Sequence, residues 1–273
     1  MRKSKFLKVY TAVVYLFLFM PMLYLVLLSF NTSKNTGSIE GFTLDWYAEL
    51  FNSGDLIKLL GNSVLLAVCA SILSTILGTM AAIGIYNMKK RSQSAMLAVT
   101  NIPMTNPDIV TGISLALLFS FVGYLFKTNA YLGFGTLLIA HVTFCLPYIV
   151  LSVMPKLSQM DRNLLDAALD LGCTPLQAFF KVTLPEIMPG IISGLMMAFT
   201  YSLDDFIISY FVVGTDFNTL PLEIYNYVKK PLSPSVYALF TLMFVIIMLL
   251  LVSTNFIQMR QDKKLNGKEG GKV

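Results

Sequence analysis

Three aspartates lie inside long apolar segments of this 273-residue chain. Asp108 follows a proline in one segment, and Asp204 and Asp205 are adjacent in another. In a lipid bilayer, a carboxylate at the centre of a helix costs about 2.5 to 3.5 kcal/mol on insertion scales. Such acids therefore face water or the interior of a helix bundle, and they have a partner.

The partner of these acids is not evident, because the six apolar segments given below contain neither Lys nor Arg. A basic residue on another subunit, protonation of the acid or a passing cationic substrate would each resolve the problem. Aromatic rings occur nearby in the sequence, and a ring facing an ammonium group contributes about 0.5 to 2 kcal/mol. Ordinary packing also explains these rings. The residues predicted to line a cation pathway are Asp108, Asp204, Asp205, Tyr148, Tyr201, Phe206 and Tyr210.

Two prolines, Pro103 and Pro107, are expected to break the segment that carries Asp108 and to free backbone carbonyls. Broken helices line the pathways of many transporters, although packing kinks have the same sequence signature. Between the first two apolar segments, Trp46 lies among Glu40, Asp45, Glu49 and Asp55. This acidic loop would attract a cation, and we include Trp46 in the predicted pathway; a solvated loop is the alternative.

The elements that position these residues follow from composition. The chain is 56% hydrophobic and only 13% charged, far from the balance of a soluble domain. Six apolar stretches are long enough to cross about 30 Å of hydrocarbon as helices. We predict an all-α polytopic membrane protein with spans near Val9–Phe30, Asn62–Met88, Leu97–Phe126, Leu132–Met154, Met188–Val213 and Val236–Ile257.

The basic residues set the orientation. Most of the 20 Lys and Arg residues fall in the N-terminal arm, the second and fourth inter-span loops and the tail. The positive-inside rule places these segments, and therefore both termini, in the cytoplasm. The net charge of +5 is topological and does not indicate a nucleic-acid surface. We predict one transmembrane domain over 1–273, with an N-terminal cytoplasmic arm at 1–8, a cytoplasmic loop at about 158–188 and a disordered tail at about 259–273.

The cytoplasmic loop is patterned as two short helices. The first has an apolar stripe and should end at Gly172, a residue suited to the left-handed conformation that closes a helix. Thr174 can cap the second helix, in a capping box with Gln177, and Pro185 should end it. This two-helix knob has the form of a surface that inserts into a groove on a partner. An amphipathic helix lying in the membrane interface would show the same stripe.

The knob carries a family resemblance. Asp166-Ala167-Ala168, three residues, Gly172, nine residues and Val182-Thr-Leu184-Pro185 resemble the EAA loop of ABC importer permeases. Asp166 stands where the family usually has Glu, and Val182 where it usually has Ile. Further stretches resemble the second membrane subunit of spermidine/putrescine importers; they are Asn106-Pro-Asp-Ile-Val110, Ser202-Leu-Asp-Asp205, Leu220-Pro-Leu-Glu-Ile-Tyr225 and Ser233-Pro234.

The resemblance implies a type I importer permease fold in a bacterial inner membrane. It further implies a second permease subunit, two ATPase subunits and an extracytoplasmic substrate-binding protein, which the loop containing Trp46 would contact. The residues that would couple to the ATPase are Asp166, Ala167, Ala168, Gly172, Thr174, Leu184 and Pro185. ATP and Mg would bind to the ATPase, since no Walker phosphate loop occurs in this chain. No cofactor or metal is expected here.

The sequence pattern also allows other substrates and other classes of function. Permeases for thiamine, ferric iron or other small substrates share parts of the pattern. The resemblance therefore leaves these substrates as alternatives to polyamines. A proton-driven secondary transporter would need no ATPase, but no inverted repeat is obvious. The sequence shows no evident serine–histidine pair of the kind that would indicate an intramembrane enzyme. The single histidine, His141, is interpreted as a packed or hydrogen-bonded core residue without an assigned role.

Overall fold

The computed structural model describes residues 5–33, 37–52, 54–126, 132–214, 217–228, 234–249 and 252. Throughout these ranges the regular structure is helical, apart from an isolated antiparallel bridge between Asn31 and Phe42. The helices are α1 (Lys5–Ser29), α2 (Asp45–Asn52), α3 (Gly54–Tyr86), α4 (Lys90–Thr105), α5 (Asp108–Leu125), α6 (Phe134–Gln159), α7 (Arg162–Asp170), α8 (Pro175–Ala178), α9 (Leu184–Asp204), α10 (Ile207–Val212), α11 (Leu220–Val228) and α12 (Pro234–Leu249), with a π-helical turn, Phe179–Thr183, between α8 and α9. The all-α prediction is confirmed.

Five helical stretches in the described residues are long and apolar enough to cross a membrane. They are Leu7–Ser29, Gly54–Tyr86, Asp108–Leu125, Phe134–Gln159 and Pro175–Asp204. The sixth predicted span is represented by the shorter apolar helix α12. Of the predicted arm at 1–8, residues 1–4 lie outside the described residues and residues 5–8 belong to α1. The end of the sixth span beyond 249, apart from residue 252, and the tail also lie outside the described residues. Apolar side chains cover the outer surface of these helices, as Phe17 on α1 does with 75% exposure. Such surfaces suit lipid or another protein.

The third predicted span is interrupted. Helix α4 ends at Thr105, α5 begins at Asp108, and Asn106 between them is extended, with φ −81° and ψ 138°. Pro107 explains the break, because a proline has no N–H and forces the preceding residue out of the helical region. Pro103 lies inside α4, so the prediction that it also breaks the span is wrong. Asp108 consequently begins a helix and does not lie in the middle of one.

The chain divides into two compact units, residues 1–58 with 224–251, and residues 59–223 with 252–273. In the second unit α6 packs along α9, where two glycines of α9 allow close approach. A Cβ on Gly190 would lie 2.7 Å from the Ser152 carbonyl oxygen, and one on Gly194 would lie 3.2 Å from the Ile149 Cα. Small residues four apart are the usual means of close helix packing in membranes.

The fifth predicted span is also interrupted. Helix α9 ends at Asp204, two residues follow, and the short helix α10 begins at Ile207. Helix α10 packs against both α5 and α6, and Gly112 of α5 lies against it. A Cβ on Gly112 would lie 3.3 Å from the Cα of Ile208. The second unit therefore has breaks in two apolar segments, with the helix after one break packed on the helix after the other.

The first unit has its own polar centre at Asn31, which follows α1. The side chain of Asn31 donates to the Ser38 carbonyl oxygen at 2.6 Å and accepts from the Glu40 N–H at 3.0 Å. These bonds hold the loop between α1 and α2 against the end of α1. The loop is thus ordered by backbone hydrogen bonds to one buried amide.

Candidate functional site: aromatic and acidic residues and a two-helix knob

Two tyrosines predicted to line the pathway lie together on α6 and α9. The ring centroids of Tyr148 and Tyr201 are 4.4 Å apart with an interplanar angle of 31°, and Phe144 packs edge-on against both at 5.6 and 6.1 Å. Phe144 is buried, whereas Tyr201 is 41% exposed. A buried ring thus supports one partly buried and one exposed tyrosine, an arrangement that holds π faces in a fixed position for a cation.

Asp108 lies near this aromatic pair. It is the first residue of α5, its side chain is exposed, and it is close enough to Tyr148 for the two groups to interact electrostatically. In the described parts of the chain Asp108 forms no ion pair. An exposed carboxylate near a tyrosine ring can bind an ammonium group through both charge and the ring face.

Asp204 and Asp205 have different environments although they are adjacent. Asp204 is the last residue of α9, is exposed, and forms no ion pair among the described residues. Asp205 is largely buried and accepts from the backbone N–H groups of Ile208 and Ser209 at 3.2 and 2.8 Å. Asp205 therefore satisfies the first turn of α10, as capping residues do.

Asp205 has side-chain partners within this chain, which a search for Lys and Arg could not find. The His141 Nε2 lies 3.5 Å from the Asp205 Oδ2, and the Ser209 hydroxyl donates to the same oxygen at 2.8 Å. Counting only Lys and Arg overlooked the histidine, which is 64 positions away in the sequence and adjacent in the fold. The interpretation of His141 as a hydrogen-bonded core residue is confirmed, since it is 1% exposed and both ring nitrogens have partners.

The remaining pathway residues are placed separately. Phe206 lies in the interruption, with its ring centroid 5.8 Å from that of Tyr210 on α10. Tyr210 in turn packs edge-on against Phe211 at 5.3 Å and is 51% exposed. Trp46 belongs to the first unit, where its indole N–H donates to the Asn31 carbonyl oxygen at 2.7 Å. That bond gives Trp46 a structural function in its own loop.

The two-helix knob has the predicted elbow. Helix α7 ends at Asp170, and Gly172 has a φ of +85°, in the left-handed region that favours glycine. The capping box is also present, because the Thr174 hydroxyl accepts from the Gln177 N–H at 3.3 Å while the Gln177 side chain accepts from the Thr174 N–H at 3.0 Å. Asp161, which the sequence interpretation did not assign, caps α7 through the Asn163 N–H.

The prediction that Pro185 ends the second helix is wrong. The chain stays helical from Pro175 to Asp204 through the π-helical turn, in which the Leu184 N–H bonds to the Phe179 carbonyl oxygen. The wider turn changes the hydrogen-bond register just before Pro185, and Pro185 falls in the first turn of α9, where its missing N–H is tolerated. The knob is therefore continuous with the helix that carries Tyr201 and Asp204.

The outer face of the knob is apolar and exposed. Leu171 is 86% exposed, Leu176 68% and Phe180 57%. Asp166 and Ala167 are exposed on α7, while Ala168 and Leu184 are partly buried. An unpaired apolar surface of this kind on a polar loop suits a groove on a partner protein.

Interrupted spans, a knob joined to one of them and an exposed acidic and aromatic cluster define a polytopic membrane transport component. Residues 74–267 match the family of binding-protein-dependent transport system inner membrane components. The chain belongs to this family.

Curated relatives are similar along most of the chain. A spermidine/putrescine transport system permease protein, PotC of Haemophilus influenzae, is 40% identical over 92% of this chain and 95% of its own length. A putrescine transport system permease protein, PotI of Escherichia coli K12, is 40% identical over 83% of this chain and 81% of its own. PotC of the same organism is 35% identical over 93% of this chain and 94% of its own.

Solved structures agree with the fold. A chain of a bacterial alginate ABC transporter, in complex with an alginate pentasaccharide-bound periplasmic protein, is similar with a TM-score of 0.70 at 14% identity, covering 93% of both chains. A chain of the inward-facing MetNI methionine ABC transporter has a TM-score of 0.59 at 18% identity, covering 75% of this chain and 95% of its own. The predicted type I ABC importer permease fold is confirmed.

Proposed function

We propose that this chain is one of two permease subunits that together form the membrane path of an ABC importer for polyamines. The observation that carries the proposal is the similarity, over most of the chain, to permease subunits named for spermidine and putrescine transport. The arrangement of Asp108, Tyr148 and Tyr201 supports it, because a polyamine presents ammonium groups separated by apolar chain. Asp204 adds a second exposed carboxylate on the same helix as Tyr201.

The proposed pathway uses these residues in two kinds of contact. The exposed carboxylates attract and hold ammonium groups, and the tyrosine faces accept them without the penalty of a fixed ion pair. Phe206 and Tyr210 extend the aromatic surface beyond the interruption. Asp205 contributes through the geometry of the break, since its oxygens are occupied by α10 and His141.

The energy source in this proposal is ATP hydrolysis on two separate ATPase subunits, and this chain binds neither ATP nor another cofactor. The knob from Asp166 to Pro185 inserts its apolar face into the ATPase. Because one continuous helical stretch joins Pro175 to Asp204, movement of the knob reaches Tyr201 and Asp204 without crossing a loop. ATPase closure biases the permease only through its differential affinity for the two pathway states.

The proposed setting is a bacterial inner membrane with both termini in the cytoplasm. This orientation places the knob on the ATPase side and the loop of Trp46 on the opposite side, where a substrate-binding protein delivers the polyamine. The distribution of Lys and Arg supports it.

Substrate uptake by the reconstituted complex tests the proposal. Proteoliposomes with both permeases and the ATPase, supplied with loaded binding protein, should accumulate labelled putrescine or spermidine in an ATP-dependent manner. Asp108→Asn and Asp204→Asn should each lower the uptake rate at least fivefold while the ATPase still copurifies. Ser120→Ala, which removes an exposed hydroxyl bonded to the Ala116 carbonyl oxygen within α5, serves as the control and should stay within twofold. Unchanged uptake in both pathway variants contradicts the pathway.

A further inference from the structure

Four polar side chains surround the interruption between α9 and α10. His141, Ser202 and Ser209 are 1%, 3% and 0% exposed, and the side chain of Asp205 is 7% exposed. We refer to these four residues as the His141 cluster. Polar groups buried among apolar helices are costly unless they are paired, so the arrangement of their hydrogen bonds is informative.

His141 bridges the two sides of the break. Its Nδ1 lies 2.7 Å from the hydroxyl of Ser202, in the last turn of α9. Its Nε2 lies 3.1 Å from the hydroxyl of Ser209 on α10, and 3.5 Å from the Asp205 Oδ2. Because His141 belongs to α6, a third helix holds both ends of the interrupted segment through one side chain.

The hydrogen-bond directions follow from the carboxylate. Ser209 Oγ–H donates to the Asp205 Oδ2 at 2.8 Å, so the Ser209 oxygen is left to accept a hydrogen bond from the His141 Nε2–H. In a neutral ring Nδ1 then has a lone pair and accepts from the Ser202 hydroxyl. This assignment, which rests on the network, satisfies every member of the cluster with one tautomer.

The cluster determines where the pathway residues point. Tyr201 precedes Ser202, and Asp204 precedes Asp205, so each exposed residue is adjacent in the chain to a clamped one. A break in a helix leaves backbone groups at its ends unsatisfied, and the groups that pair with them help to set the direction of the chain there. Here the Asp205 carboxylate and the His141 ring supply that restraint.

We propose that His141 is a positioning residue for transport: it clamps the α9–α10 interruption and so fixes the orientation of Tyr201 and Asp204 in the substrate path. The proposal rests on the proposed function for its transport readout. The docking of the ATPase and of the binding protein does not involve His141. Its loss should therefore separate ATP hydrolysis from substrate movement.

Transport by the reconstituted complex gives the first test. His141→Leu should lower maximal polyamine uptake at least tenfold per assembled complex, while ATP hydrolysis stimulated by loaded binding protein stays within twofold. His141→Gln keeps an amide donor for Ser209 and Asp205 and should recover uptake to within fivefold of wild type. Thr143→Val removes a hydroxyl that bonds only within α6 and should behave as wild type. Wild-type uptake in His141→Leu, or a proportional loss of uptake and ATP hydrolysis, overturns the proposal.

A spectroscopic test does not depend on the substrate. A spin label at Ile207→Cys reports the first residue of α10, which is 37% exposed. Cys69 and Cys173 are replaced by Ser, and Cys145 stays because it is fully buried. His141→Leu should add a mobile component to the spectrum of the labelled complex, and Thr143→Val should not. If His141→Leu does not assemble, Ser202→Ala carries the same expectation.

The two tests fail in distinguishable ways. Absence of polyamine uptake by the wild-type complex rejects the proposed substrate, while the spectra still report on the clamp. An unchanged spectrum in the His141→Leu or Ser202→Ala complex rejects the clamp, whatever the substrate is.

Discussion

At the scale of single residues, Asp204 and Asp205 illustrate how a fold separates identical side chains. Both are carboxylates in an apolar segment, and the sequence gives them equal standing as pathway acids. The helix ends between them, so Asp204 stays exposed while Asp205 turns towards the N–H groups of α10. One acid is available to a cation, and the other has its hydrogen-bonding capacity used by the protein.

This difference predicts opposite phenotypes. Asp205→Ala leaves two backbone N–H groups and a serine hydroxyl without their acceptor. Each hydrogen bond to a charged group contributes about 1.5 to 3 kcal/mol, so the variant should be destabilised by at least one such amount. Asp204→Ala should leave stability within about 0.5 kcal/mol. Fluorescence-detected gel filtration after heating measures both. Equal melting temperatures for the two variants would contradict the assigned capping function of Asp205.

Tyr201 gives a second prediction at this scale. A ring facing an ammonium contributes about 0.5 to 2 kcal/mol, which is a change of about twofold to thirtyfold in rate. Tyr201→Ala should lower polyamine uptake by a factor in this range, and Tyr201→Phe, which keeps the ring, should remain within twofold. Thr200→Val, in which only a bond to the Met196 carbonyl is lost, is the control for the neighbouring position. Equal losses in the Phe and Ala variants would show that the hydroxyl matters and the ring face does not.

At the scale of helices, the sequence predicted the apolar segments but only one of the two interruptions within them. Hydropathy located the apolar segments, and Pro107 located one interruption, since proline acts locally on the residue before it. No local signal marks the second interruption at Asp205, because it depends on a histidine in another helix. Pro185 shows the reverse case. Proline is a strong local signal for the end of a helix, but a π-helical turn just before Pro185 keeps the chain helical, and no sequence pattern predicts that turn.

Helix packing provides a test at the same scale. Gly190→Ala places a Cβ 2.7 Å from the Ser152 carbonyl oxygen, a backbone atom that cannot rotate away, so α6 and α9 must separate. The expected cost is about 1 to 3 kcal/mol, typical of overpacking. Gly84→Ala in α3 meets nothing within 4 Å and should be neutral or slightly stabilising. Thermal inactivation of the purified protein measures the pair, and similar midpoints would contradict the close packing of α6 on α9.

At the scale of the whole molecule, global properties were the most predictable. The low charge content and the length of the apolar segments predicted a polytopic helical protein, and the motif spacing from Asp166 to Pro185 predicted the knob. Composition and motif spacing can be read without knowing which residues are in contact. The pathway was less accessible. Which acids and rings meet depends on long-range packing, and Trp46 proved to be bonded within its own loop.

The native cysteines allow a test of orientation. Cys173 lies in the knob directly after Gly172 and is partly exposed, whereas Cys145 is buried and Cys69 lies within the α3 span. With the knob in the cytoplasm, a membrane-impermeant maleimide should label Cys173 in inside-out vesicles and leave it unlabelled in spheroplasts. A cysteine introduced at Ile39, which is 71% exposed in the loop between α1 and α2, should show the reverse pattern in a Cys173→Ser background.

The same reagent tests coupling, because Cys173 adjoins the exposed Leu171. Docking of the ATPase on the apolar face of the knob should slow labelling of Cys173 at least tenfold in inside-out vesicles. Leu171→Asp places a charge on that face and should abolish both the protection and the copurification of the ATPase, while labelling of the cysteine introduced at Ile39 stays unchanged. Protection that survives Leu171→Asp, or labelling of Cys173 from outside, contradicts the proposed orientation of the knob towards the ATPase.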